Sequence, residues 1–240
     1  MWPSTGIQGL NGTLSPAAAF ADLVGLTYVE ISNQPGLTGT LPSDWSRLTQ
    51  LQHMLLHDNS LSGSIPPSWG SLSNLVRLAQ YANELSGRIP DSFKALAALK
   101  YVGVAHNTIT GTLPAWLGGL TNLEILGFDD TRMSGSIPAS LGRLTRLKEL
   151  WLSFDQITGT LPDALKALTS LELLRIQSTS IADSVPQSWS AMKELNDLRL
   201  FDCSKLSGCL PASWGQQLAG MNTEKMVFSG TNISGFCEST

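Results

Sequence analysis

Residues 61–84 read LSGSIPPSWGSLSNLVRLAQYANE, and residues 85–108, LSGRIPDSFKALAALKYVGVAHNT, run through the same template again. The aliphatic residue that opens each copy falls at Leu37, Leu61, Leu85, Ile109, Met133, Ile157 and Ile181, six successive intervals of 24 residues. A fixed period of this length marks a solenoid, with one supersecondary unit per period burying its apolar side against the next. The 240 residues are therefore expected to form one continuous body, with no need for the one or two separate cores that length alone would suggest.

Each period has three parts. A short extended piece comes first, as in residues 61–66, where Leu61 and Ile65 face inward; the Gly lets the backbone pass close to the next coil, and the Pro ends the strand because it has no N–H to donate. A helical turn follows on the convex side, with an apolar packing residue three positions after the Pro: Trp45, Trp69, Phe93, Leu117, Leu141, Leu165 and Trp189. Trp214 takes the same slot near the end, and Trp116 is offset from it by one residue. The last part is a concave strand, as in residues 147–155, with Leu150 and Leu152 inward and Glu149, Trp151 and Ser153 outward. Asn59, Asn83 and Asn107 close successive strands, where a carboxamide can satisfy backbone groups that water cannot reach. Thr131, Asp155, Thr179 and Cys203 continue that ladder with fewer hydrogen bonds, which predicts a less regular C-terminal half. Gln80 breaks the pattern: it fills an inward slot held elsewhere by Leu56, Val104, Phe128 and Leu152, and needs hydrogen-bond partners there.

This pattern predicts an α/β solenoid of 24-residue repeats with a parallel concave sheet and short helical turns on the convex side. Residues 1–36 form an N-terminal cap with an irregular first repeat, 37–205 seven regular repeats, and 206–240 irregular capping repeats, because the interval stretches to 27 residues before Leu37 and after Leu206. Charged residues make up 14% of the chain, and the net charge is −4 with no basic stripe, which argues against a nucleic-acid partner. No run of about 18 uncharged apolar residues offers a membrane span, and the apolar stretch 17–26 is broken by Asp22 and is no signal peptide.

The run Leu-Pro-x-x-Trp-x-x-Leu behind Ser-Gly or Thr-Gly resembles the plant-type class of leucine-rich repeats found in receptor ectodomains and polygalacturonase inhibitors. More closely, SVPQSWSAMK at 184–193 and CSKLSGCLPASW at 203–214 look like the kinetoplastid promastigote surface antigens and related proteophosphoglycans. That resemblance covers nearly the whole chain. It implies a secreted or lipid-anchored surface protein that meets host molecules, a macrophage complement receptor among them, and it implies no catalysis. The chain departs from that family in lacking an N-terminal cysteine pair and in stopping at Glu238-Ser239-Thr240, where the family runs into a Ser/Thr-rich stalk. It is expected to be an excised ectodomain whose signal and anchor lie elsewhere.

Three cysteines allow one intramolecular disulfide and leave one thiol. Cys203 with Cys209 is the expected pair, since it is local and brackets the entrance to the C-terminal cap; Cys209 with Cys237 is the alternative, and a reduced cytosolic protein is the third reading. Asn11-Gly12-Thr13 and Asn232-Ile233-Ser234 fit the N-glycosylation pattern, which makes Asn11 and Asn232 candidate acceptors. The cysteines are too scattered, and His53, His57 and His106 too distant from them, to suggest a metal site, and no cofactor is implied.

Strands about 4.8 Å apart stack equivalent outward residues into columns. Ala79, Gly103, Gly127 and Ala105 cluster into a shallow depression, walled by Tyr81 and Tyr101 on one side and Trp151 and Phe154 on the other. Arg175 is one rung from Trp151, near enough to lie on the indole, and Arg199 and Phe201 extend the patch. Exposed aromatics and Arg dominate protein interfaces, so this surface is the candidate for recognition, together with Asp129, Asp130 and His106 at its edge. His106 beside Asp130 reads as a polar pair. A hydrolase reading of His106, Asp129, Asp130 and Ser153 fails, because Ser153 lies two rungs, about 10 Å, from His106. The expected function is a non-enzymatic binding module, secreted or at the cell surface, for a host protein or glycan, with a monomer favoured. A surface-coat spacer and an intracellular scaffold are the alternatives.

Overall fold

In the computed structural model, residues 11–14, 23–153, 156–218 and 226–238 are described. Nine of their strands form one parallel sheet running in sequence order from Tyr28–Glu30 through His53–Leu55, Arg77–Ala79, Tyr101–Gly103, Ile125–Gly127, Glu149–Ser153, Leu173–Gln177 and Asp197–Phe201 to Met226–Val227. The register advances by one repeat per rung: Tyr101 pairs Ile125 and Ile125 pairs Glu149, while Gly103, Gly127 and Trp151 align two residues further on. The chain is thus the α/β solenoid of stacked 24-residue coils that the period predicts.

A second layer of parallel strands carries the Gly-containing pieces. It divides into Gly12–Thr13, Gln34–Thr40, Asn59–Ser64 and Glu84–Ser86 on one side, and Thr110–Thr112 onward to Asn232–Phe236 on the other. Gly63 shows why the residue type is needed. Its φ is +76°, and a Cβ there would come 3.0 Å from Thr40 Cγ2 of the preceding coil. Each Pro that follows is extended, as at Pro66 with ψ 125°, and opens a five-residue 3₁₀ turn such as Pro67–Ser71.

The core is a continuous column of Leu, Ile and aromatic side chains from Leu14 to Trp214. Trp45, Trp69, Trp189 and Trp214 are all at most 1% exposed, in keeping with a packing role. The indole N–H of Trp69 donates to the Pro42 carbonyl of the coil before it at 2.9 Å, and that of Trp189 to Pro162 O at 3.2 Å. Trp69 and Trp189 therefore both fill volume and tie neighbouring coils.

The asparagine ladder is built as the chemistry requires. Asn107 Nδ2 donates to Gln80 O and Val104 O, both at 3.0 Å, while its Oδ1 accepts from Leu85 N at 2.8 Å. Asn59 and Asn83 do the same work on the coils before it. Thr131 manages one bond, to Phe128 O at 3.2 Å, and Thr179 meets the Cys203 sulfur at 3.2 Å. Asp155 lies outside the described residues. Yet the C-terminal half is not less regular. Its concave strands lengthen from three residues to five at Glu149–Ser153, Leu173–Gln177 and Asp197–Phe201. The outward Trp151, Arg175 and Arg199 suit a strand better than the Ala79, Gly103 and Gly127 of the earlier coils.

Gln80 differs from expectation in the other direction. It is fully buried, and neither Nε2 nor Oε1 of its carboxamide has a hydrogen-bond partner.

The disulfide joins Cys209 to Cys237, not Cys203 to Cys209, and the Cα atoms stand 5.1 Å apart. The reason is side-chain direction. Cys203 is a ladder residue, completely buried, whose sulfur faces Ile176 O and Phe201 O of the interior. Cys209 sits on the strand Leu206–Leu210, which pairs with Asn232–Phe236 of the last coil and so approaches Cys237.

Candidate binding site

The outward columns of the concave sheet come from the one-repeat register. The first runs Arg77, Tyr101, Ile125, Glu149, Leu173, Asp197, and the second Ala79, Gly103, Gly127, Trp151, Arg175, Arg199. Ser153, Gln177 and Phe201 align in the third. At the strand ends Asp58, Ala82, His106, Asp130, Ser178 and Asp202 all take positive φ, between 49° and 56°, which fits the frequency of Asp and His there.

Trp151, Arg175 and Asp129 form the centre. The Arg175 guanidinium carbon lies 5.5 Å from the Trp151 ring centroid, and the indole N–H donates to Glu149 Oε2 at 3.0 Å. Arg175 Nε donates to Gln177 Oε1 at 2.9 Å, which draws its Nη1 out to 3.8 Å from Asp129 Oδ2. Asp129 is only 6% exposed, and burial pushes its carboxyl above the ordinary carboxylate range. Ser153, Arg175 and His106 pull the other way, more weakly. Asp129 Oδ1 and the Ser153 hydroxyl lie together below the surface, and neither completes a well-directed hydrogen bond.

The depression takes a smaller form than the residue sizes suggest. The Tyr101 ring folds over Gly103, where a Cβ would sit 2.7 Å from the phenol oxygen, and Ala79 is wholly covered. Gly127 keeps open space above it, since only Val102 O approaches its absent Cβ, at 3.9 Å. The hollow therefore lies at Gly127, between Tyr101 and Trp151. Arg77 holds Tyr101 in place, its guanidinium carbon 4.3 Å from the ring centroid, while burial raises the phenol pKa and Arg77 opposes that. Phe154 lies outside the described residues.

Tyr81 stacks on His57 with centroids 4.4 Å apart, and the His57 ring meets Asp58 at 2.7 Å. Arg77, His57 and Glu149 were not among the sequence candidates, though the column positions contain the signal: each sits one rung or one strand position from an aromatic. At the other end Arg199 grips Asp197 with two bonds, 2.8 and 3.0 Å, beside Phe201. His106 Nδ1 meets Asp130 Oδ2 at 2.9 Å, both well exposed at the rim. Ser153 faces the Asp129 carboxyl, while His106 pairs with Asp130, and among the described residues no group of His, Cys, Asp and Glu is placed to hold a metal. No helix among them is long and apolar enough to cross a membrane. Asn11 is exposed, and Asn232 donates its side-chain amide to Ser204 O at 2.7 Å.

A model of a leucine-rich repeat region matches residues 90–221, more than half of the chain, and a single leucine-rich repeat model matches residues 50–72. No curated protein matches. Among solved structures the chain is similar to a TDR receptor, 29% identical over 93% of this chain and 37% of that one, with a TM-score of 0.83. It is also similar to the Arabidopsis receptor kinase HAESA ectodomain in complex with an IDA peptide hormone, 32% identical over 87% of this chain and 35% of that one, TM-score 0.75. A plant ice-binding protein, 23% identical over 95% of this chain and 72% of that one, TM-score 0.77, shares the fold. The chain spans 24% to 39% of the first receptor chains it matches.

Proposed function

The chain belongs to the leucine-rich repeat family, a non-catalytic binding fold, and from that membership we propose that it is an extracellular recognition module whose concave face receives a protein partner. The contact region is the hollow at Gly127 with Tyr101, Trp151, Arg175 and Asp129 around it, and Tyr81, Arg199, Phe201, Asp130 and His106 at its margins. One observation carries this reading: the Arg175 guanidinium carbon lies 5.5 Å from the Trp151 ring centroid on the outward face of the concave sheet, beside the Asp129 carboxyl. An indole and a guanidinium held side by side are the residue types that anchor interfaces. The HAESA ectodomain, which holds a peptide hormone, and the Cys209–Cys237 disulfide support an extracellular peptide-recognising module.

The likeness of residues 184–193 and 203–214 to kinetoplastid promastigote surface antigens supports a host surface protein as the partner and a surface-antigen role for the module, with residues 206–240 as its C-terminal cap. A coat or spacer role is the second reading, favoured by the hydroxyl-rich second layer of strands, where Thr40, Ser64, Thr112, Ser136 and Thr160 are exposed in sequence. Screening the chain against host surface proteins, alongside Trp151→Ala and Asp129→Asn, tests the first reading. Binding lost in both variants supports it. Binding that both leave intact, or no binding at all, favours the coat.

A further inference from the structure

Over the regular repeats that second layer is a wall of Ser and Thr, and it is breached on one coil. Across the regular repeats the residue after the template Gly position is Thr40, Ser64, Thr112, Ser136, Thr160 or Ser184, but on one coil it is Arg88. On the next coil Trp116 takes a slot that the other coils give to Asp44, Ser68, Ser92, Ser140, Ala164 and Ser188. Both departures fall where the second sheet divides, between Glu84–Ser86 and Thr110–Thr112. They line a groove of about 510 Å³ that crosses three coils, floored by Pro67, Pro90 and Pro114.

The groove walls are held. The Trp116 indole N–H donates to Asp91 Oδ1 at 3.0 Å, which replaces the serine bond made at equivalent positions, such as Ser92 to Pro67 O. The Arg88 stem crosses Gly111, where a Cβ would come 3.1 Å from Arg88 Cγ. Its guanidinium is exposed and makes no ion pair among the described residues. A half-buried indole, a guanidinium without an ion pair, a carboxylate with one oxygen uncommitted and an apolar proline floor thus share one cleft, on the flank of the solenoid and away from the concave face.

We propose that this groove binds an acidic saccharide, with a hexuronate ring as the unit recognised. A pyranose presents C–H bonds on its face and hydroxyls on its rim; the face fits the electron-rich indole and the prolines, and a rim hydroxyl donates to Asp91. The ring carboxylate meets Arg88, whose planar fork matches it with two parallel hydrogen bonds. The volume lies within the range of small-ligand clefts and accommodates one or two sugar rings. Charge decides for an acidic sugar over a neutral one, because Arg88 is the cation that interrupts an otherwise uncharged hydroxyl column.

The test is calorimetric titration of the full chain with an oligogalacturonate tetramer and, separately, with a neutral glucose tetramer. Arg88→Ser and Trp116→Ser restore residue types that other coils carry at these positions, so both variants keep the fold. The expected result is binding of the acidic tetramer at least about tenfold tighter than the neutral one, and a loss of about tenfold or more in each variant. Trp151→Ala should leave this binding unchanged, which separates the groove from the concave surface: either site can fail without the other. Equal affinity for the neutral tetramer, no loss on Trp116→Ser, displacement of the sugar only by Trp151→Ala, or no binding of either tetramer would overturn the proposal.

Discussion

Replacing Gln80 by Leu should make the protein more stable. Gln80 is 0% exposed, with both polar atoms of its side chain unpartnered, and the equivalent slots on other coils hold Leu56, Val104, Phe128 and Leu152, each also 0% exposed. Leaving a buried amide without partners costs about 1–3 kcal/mol, and Leu adds apolar contact at similar volume, so the gain should be about 2–4 kcal/mol. The backbone carbonyl of Gln80 accepts from Asn83 and Asn107, and those bonds survive because they are main-chain. For a chain of this size about 2–4 °C accompanies each kcal/mol, so the melting temperature should rise by roughly 4–16 °C. Urea unfolding followed by far-ultraviolet circular dichroism should show a higher midpoint at unchanged slope. An unchanged or lower midpoint would refute the reasoning and mean that a bridging water satisfies the carboxamide.

Three further outcomes are expected. Burial holds the Asp129 carboxyl above its unfolded value, so its contribution to stability is full at low pH and is lost as pH rises through the folded pKa; denaturation midpoints should accordingly gain from protonation of Asp129 on acidification towards that value, and Asp129→Asn should remove that part of the pH dependence. Cys237→Ser opens a link between residues 28 apart and should cost about 3 kcal/mol locally, seen as faster hydrogen exchange over 206–238 with the central coils unaffected. Asn107→Ala strands Val104 O and Leu85 N, leaves Gln80 O with Asn83 alone, and should cost about 3 kcal/mol in urea titration, whereas Asn107→Thr, the residue type at Thr131, should lose less.

The columns were legible in the sequence because period and register are the same quantity: a 24-residue repeat that adds one strand per turn must align residues 24 apart, as Gly127 and Trp151 do. What lay beyond that ruler was anything decided by where a side chain bends. Residue sizes suggested an open floor at Gly103, but Tyr101 is long enough to reach over it and Arg77 pins it there. Sequence proximity suggested Cys203 with Cys209, but inward and outward directions alternate, and Cys203 is an inward ladder residue. The Arg88 and Trp116 groove was half visible, as one Trp off its packing slot. Its other half was an Arg in a column of hydroxyls that matters only once three coils are stacked. Gln80 looked like a residue with hidden partners, and the backbone groups near it turn out to be taken by Asn83 and Asn107.

Because each coil adds one rung in constant register, distances along the concave face are quantised. The Arg77–Tyr101 pair and the Trp151–Arg175 pair are separated by a whole number of strand spacings of about 4.8 Å each. Duplication or loss of one 24-residue unit between them would change that gap by one step while leaving each coil's own contacts almost intact, since a coil touches only its neighbours. The gene encoding such a chain can therefore retune the span between two contact points in a single unequal crossover, with no intermediate spacing to pass through. Ligand length, for a partner bridging both points, would be selected in the same discrete steps.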